Sequence, residues 1–184
     1  ALYAQVTGST SSGSSSSGDS GSSSGSGSSS GSTSSGLTES SAKYFIRIPS
    51  GGAKIFTGKT YGTGTEVSVS SGAVYMLLTN KKYTEGGVDY YALYYNNAEH
   101  HVRVSDVSVL SDAEVTNHMK SIWQASSYKP MKQDMNLLGD VNVYAMQLAL
   151  KTLGYSVTPD GDFGKKTRDT VYAFQKATGL DRDG

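Results

Sequence analysis

Three histidines are present, His100, His101 and His118, and the first two adjoin Glu99 with Asp106 close behind. Imidazole beside carboxylate is the raw material of a metal site or a general base. Adjacent residues of a strand point to opposite faces, however, so His100 and His101 cannot converge on one ion without a bulge. His118 falls on a separate helical stretch, and solvated histidines are the expectation. Asp160 and Asp162 flank Gly161 as the opening of a calcium loop would, yet the oxygen ligands that must follow are missing and no glutamate closes it. A turn is predicted there, and another at Asp181 and Asp183. A glycosidase needs two carboxylates at controlled separation, a zinc amidase or peptidase needs several convergent histidines, and a nucleophile elbow needs G-x-S-x-G with a histidine partner. No such carboxylate pair or histidine cluster is seen, and the G-x-S-x-G spacings at Gly21 to Gly25 and Gly27 to Gly31 are Gly/Ser low-complexity sequence without a histidine partner. The absence of cysteine excludes disulfides, thiolate zinc sites and cysteine nucleophiles within the chain. No catalytic residue, metal or cofactor is therefore expected here.

The charge balance removes further classes of function. Lysine plus arginine and aspartate plus glutamate both number 16, and the balance holds by region. No field is available to concentrate nucleic acid or an anionic membrane surface. No apolar run approaches the ~20 residues of a membrane span. The chain opens at Ala1 with neither an initiating methionine nor a signal peptide, which reads as an excerpt of a longer protein.

The elements that must position any site fall into distinct regions. Residues Gly8 to Gly36 are Gly, Ser and Thr apart from Asp19, a composition that cannot offset the entropy of ordering and predicts a flexible tether with a root-mean-square span of about 30 Å. From Lys43 to Leu110 the pattern is that of short strands: Tyr44 to Ile48, Glu66 to Val69 with period two, Val74 to Leu78, Tyr90 to Tyr95 and His101 to Val104. Gly86-Gly87 and Asn96-Asn97 accept positive φ cheaply and mark turns between them. Eight of the 13 tyrosines lie in this region, and they predict a core of large apolar bodies with polar tips at the rim of a small antiparallel barrel or sandwich. Val115, Met119, Ile122 and Trp123 recur at helical spacing behind a cap at Ser111 or Asp112, with Trp123 as a packing anchor. Two more helices follow. The first runs from about Asp140 to Leu153 with Val143, Met146, Gln147, Leu150 and Leu153 on one face and Gly154 as its stop. The second runs from about Lys165 to Ala177 with Val171 and Phe174 buried and Gly179 as its stop.

Gly139, Val143, Met146-Gln147, Leu150, Leu153-Gly154-Tyr155, Asp160-Gly161, Phe163-Gly164, Thr167, Val171, Phe174-Gln175, Gly179-Leu180 and Asp183-Gly184 stand in the order and spacing of one known pattern. This stretch resembles the helical peptidoglycan-binding domain. Met146 stands where leucine is usual, a volume-conserving swap. The family's pattern continues beyond the final Asp-Gly with a Thr-Trp pair and a closing helix, so the resemblance implies a module cut short, with apolar helix faces left exposed. Ala1 to Val6 resembles the tail of the same domain. The β region is similar to bacterial SH3-like domains through Tyr90 to Asn97 and His101 to Val107, although His100-His101 replaces the usual Gly-Tyr and the early Asn-Val-Arg signature is absent, with Ala53 to Phe56 in its region.

The resulting expectation is a multi-domain chain. Residues 1–7 are the tail of a preceding repeat, 8–41 a Gly/Ser linker, 42–110 an all-β SH3-like barrel, 111–128 a connecting helix and 129–184 a helical peptidoglycan-binding module lacking its C-terminal part. The resemblance implies non-catalytic, carbohydrate-binding attachment of a secreted bacterial protein to the cell wall, outside the cell, with the glycan strand or the stem peptide as partner. Two alternatives stay open. The chain is the targeting part of a wall hydrolase whose catalytic domain lies elsewhere, or it is a structural spacer whose β domain meets a protein partner. Candidate ligand contacts are Asn142, Tyr144, Gln147, Arg168 and Tyr172, with Arg168 suited to a stem-peptide carboxylate. Asp160, Gly161, Phe163, Gly164, Thr167, Phe174 and Gln175 are read as the structural motif. Gln147 and Gln175 also have a structural reading, since an amide beside a turn can tie down loop backbone.

Overall fold

The computed structural model describes residues 38–41, 45–58, 62–79, 81–125 and 131–183. The expected tail of a preceding repeat and the expected tether through residue 37 lie outside them.

Nine strands and three α-helices make up these residues. The strands are β1 (Thr38–Ser41), β2 (Phe45–Arg47), β3 (Ala53–Phe56), β4 (Glu66–Val69), β5 (Val74–Met76), β6 (Lys81–Glu85), β7 (Val88–Tyr95), β8 (Ala98–Arg103) and β9 (Ser108–Val109). They form a six-stranded sheet of order β1-β6-β7-β8-β3-β4 and a three-stranded sheet of order β5-β2-β9, with every pairing antiparallel. A Leu77–Leu93 bridge joins the two. The expected turns are there: Gly86 and Gly87 (φ 57° and 79°) link β6 to β7, and Asn96 and Asn97 (φ 49° and 60°) link β7 to β8. Both residues of each pair are left-handed, as the hairpin turn that matches strand twist requires.

Period-two alternation along β7 divides its side chains between two surfaces. Tyr91 and Leu93 enter a core with Ile46, Ile48, Ile55, Val69, Leu77 and Val102. Tyr90 and Ala92 face the other way and are buried as well. Burial raises the phenol pKa of both Tyr90 and Tyr91, because the charged form loses its hydration.

Four strands, β1, β3, β6 and β9, lie outside the runs expected to be strands. Thr38–Ser41, assigned to the end of the tether, forms β1 against β6, since ladder pairing uses backbone groups and needs no apolar side chain. β6 itself, with the polar sequence KKYTE, carries too little apolar alternation to be seen in the sequence.

The helices are α1 (Asp112–Trp123), α2 (Val141–Thr152) and α3 (Lys165–Thr178). Ser111 and Glu114 form a capping box at the start of α1, which satisfies amide donors that the first turn leaves unpaired. Asp140 caps α2 by accepting from the amides of Asn142 and Val143 at 2.7 and 3.1 Å. Gly179 ends α3 in the left-handed conformation.

The β and helical parts share a core. Phe45 and Met76 from the strands, Leu110, Met119 of α1 and Ala145 of α2 form one buried cluster. Trp123 does the anchoring expected of it: it packs against this cluster, and its indole N–H donates to the Ala145 carbonyl at 2.9 Å. Phe45 meets Tyr144 edge to face at 4.9 Å between ring centroids. Asn97 extends its role beyond the hairpin by donating to the Met135 carbonyl and accepting from the Leu138 amide, both at 3.2 Å.

Candidate functional site

The candidate site is built on the turn between α2 and α3, and Gln147 is its centre. Fully buried in the middle of α2, Gln147 accepts from the backbone amides of Asp160 (3.0 Å) and Gly161 (2.9 Å) through Oε1. Its Nε2 donates toward Asp160 Oδ1 (2.7 Å), the Asp162 carbonyl (3.1 Å) and Thr167 Oγ1 (3.0 Å). Thr167 in turn donates to the Asp162 carbonyl at 3.0 Å. One amide thus satisfies both strands of a turn that could not otherwise be buried without orphaned polar groups.

The aspartates are committed to the same turn. Asp160 Oδ1 also accepts from the Asp162 amide at 2.9 Å, while Asp162 Oδ1 accepts from the Gly139 amide at 2.8 Å. Backbone bonds from Asp140 to the Gly161 carbonyl and from Phe163 to the Leu137 carbonyl, each 2.9 Å, fasten the turn to the start of α2. Phe163 and Val157 are buried beneath it. Gly161 has φ +79°, and a Cβ there would lie 2.8 Å from Met76 Cε and 3.0 Å from both the Asp140 nitrogen and the Gly139 carbonyl carbon. Gly139 is as constrained, since its Cβ would fall 2.8 Å from the Tyr94 ring. The β domain therefore presses on the turn at two glycines.

The candidate contacts separate into two groups. Gln147 is fully buried and consumed by the turn, while Tyr144 is half-buried and packs against Phe45. Asn142 is exposed in the first turn of α2. Arg168 and Tyr172 lie together on α3, with the guanidinium carbon 5.8 Å from the ring centroid. Arg168 also pairs with Asp169 at 2.8 Å, and Lys165 pairs with the same carboxylate at 2.8 Å. These bonds hold the Asp169 pKa below the usual carboxylate range. Gln175 donates to Asp183 Oδ1 at 2.7 Å, tying the end of α3 to the chain that follows.

Two expectations about exposure need correction. Val171 and Phe174 are half-buried rather than buried. Thr167 and Thr170, nearer the start of α3, take the buried positions, while Phe174 packs edge to face on Tyr155 at 6.0 Å. His100 and His101 are not solvated: each is 4% exposed. They do point to opposite faces, His100 meeting Tyr95 and His101 meeting Tyr90. His100 Nδ1 donates to the Ala98 carbonyl at 2.9 Å and His101 Nε2 donates to Glu99 Oε1 at 3.0 Å. Burial lowers the His101 pKa against the opposing pull of Glu99, and His101 Nδ1 has no hydrogen-bond partner, which fits a neutral imidazole. His118 is half-buried, and burial with the nearby Arg47 charge lowers its pKa too. Among the described residues no group of three or more His, Asp or Glu side chains could hold a metal ion. No helix among them is long and apolar enough to cross a membrane.

Residues 139–184 match the family model described as "Putative peptidoglycan binding domain". The matched segment begins at the glycine under Tyr94 and takes in the Gln147 turn, α2 and α3. No curated protein and no solved structure matches the chain.

Proposed function

We propose that this chain is a non-catalytic wall-targeting region of a secreted bacterial protein, holding another activity on peptidoglycan through its helical module. The family match over residues 139–184 carries the reading. The geometry supports it, because the turn that aligns α2 and α3 is fully satisfied internally and leaves the outer side of α3 free. Arg168 and Tyr172 there, with Asn142 on α2, are the contacts we assign. A planar cationic donor and a flat ring suit carboxylate and sugar faces respectively. The β domain, read as SH3-like from its Tyr90 to Val107 hairpin, serves as the platform on which the module is mounted.

Sedimentation with purified insoluble peptidoglycan tests this reading. The chain is expected in the pellet without release of soluble wall fragments. Recovery of the Arg168→Ala/Tyr172→Ala double variant in the pellet at the native level would remove those two contacts, and recovery of the native chain in the supernatant would remove the function.

A further inference from the structure

The helical module offers ligand few free faces. Ala145, Tyr144 and Leu148 of α2 are taken up by the cluster shared with the β domain. Met76 and Tyr94 cover the turn glycines. Thr167 and Thr170 are buried. Besides Asn142 at the start of α2, what remains is the outside of α3, and at 100° per residue it has two flanks. Arg168 and Tyr172 form one. Lys166, Asp169 and Ala173, spaced i, i+3 and i+7, form the other.

That second flank borders an open groove of about 590 Å³ lined by Tyr155, Lys165, Lys166, Asp169, Thr170 and Ala173, within the ~300–1,000 Å³ of small-ligand sites. We propose that this groove seats a peptide bearing a free carboxylate, that is, the peptide arm of the wall polymer rather than its sugar strand. The assignment rests on the peptidoglycan-binding reading above.

Charge decides between peptide and sugar. The groove holds two ammonium groups and one carboxylate. Asp169 is already shared between Lys165 and Arg168, each 2.8 Å away, so Lys166 is the cation left to meet an incoming anion. A carboxylate accepts from Lys166 in a charge-assisted bond stronger than any a neutral sugar hydroxyl makes with it. The Tyr155 ring, held edge-on by Phe174, and the Ala173 methyl give the groove an apolar wall suited to short aliphatic side chains.

The experiment uses the full chain, native peptidoglycan and the same material with its carboxyls converted to amides. Lys166→Glu is expected to weaken sedimentation of the native wall by roughly 10-fold, the scale of one charge-assisted hydrogen bond. Lys120→Glu, an equal charge change at an exposed position of α1, is expected to bind as the native chain does. Amidation is expected to weaken the native chain by a similar factor and to have little further effect on Lys166→Glu. Circular dichroism of both variants should match the native chain, since both lysines are exposed. Equal binding by Lys166→Glu and the native chain, or indifference of the native chain to amidation, overturns the groove assignment and leaves wall binding standing. Failure of the native chain to sediment on either material removes both.

Discussion

Replacing Gln147 with leucine tests the architecture of the turn. The two side chains are close in volume, so the change leaves little cavity and acts through hydrogen bonds. It removes the acceptor used by the Asp160 and Gly161 amides, at 3.0 and 2.9 Å, and the donor that serves Asp160, Asp162 and Thr167. Gly161 is buried and Asp160 exposed, so the Gly161 amide is orphaned while water can reach the Asp160 amide. At about 1–3 kcal/mol for an orphaned donor, together with the lost bonds to Asp160, Asp162 and Thr167, the loss is roughly 2–5 kcal/mol. Against a typical total of about 5–15 kcal/mol, that is enough to melt the module or bring it near its midpoint. Urea unfolding followed by helical circular dichroism and by Trp123 fluorescence reads it, because the single tryptophan bonds to α2. Gln147→Glu adds a sign test. It places a second carboxylate beside Asp160, so its destabilisation should ease as pH falls through the carboxylate range. A Gln147→Leu variant within about 0.5 kcal/mol of native, the spread of unremarkable surface changes, would refute the reasoning.

Three further outcomes follow from the same geometry. Gly161→Val should abolish the helical signal of residues 139–183, because φ +79° and contacts at 3.0 Å to Asp140 and Gly139 leave no room for a branched side chain; a cooperative unfolding transition like the native one would contradict this. Ser111→Ala should cost about 1 kcal/mol through loss of the capping box on α1, read as a lower urea midpoint with unchanged slope. His101 has a folded pKa below its unfolded value, so protonation favours the unfolded chain. Its contribution is fully present above the unfolded pKa of about 6.5 and is lost as pH falls below it, until the folded pKa is passed. Thermal scans from pH 7.5 to 5 should show a falling midpoint, and His101→Gln should flatten that fall, with the residual slope assigned to His118, whose shift has the same sign.

Much of the fold can be read from local chemistry. Paired left-handed residues at Gly86-Gly87 and Asn96-Asn97, the alternation in Glu66 to Val69, and the glycine after each of the last two helices act within a few residues. Their elements fall where expected. Long-range burial is another matter. His100 and His101 read as solvated because nothing within ten residues announces that both faces of β7 and β8 are covered. Gln147 could be placed on a buried helical face, yet its choice between ligand and turn depends on Asp160 and Thr167 lying across the bend. The docking of Gly139 under Tyr94 and the double role of Asn97 join residues about 40 positions apart. The charge excess of the α3 groove was legible as residues but not as a site, since Tyr155 reaches Lys166 and Ala173 only once the turn has closed.

The most direct measurement is a residue-resolved NMR titration of the full chain with soluble peptidoglycan fragments. Amide shifts are expected along α3 and at Tyr155, with the Gln147 turn and strands β7 and β8 unmoved. Shifts confined to the β domain, or none at saturating fragment, would contradict the claim that the helical module carries wall binding.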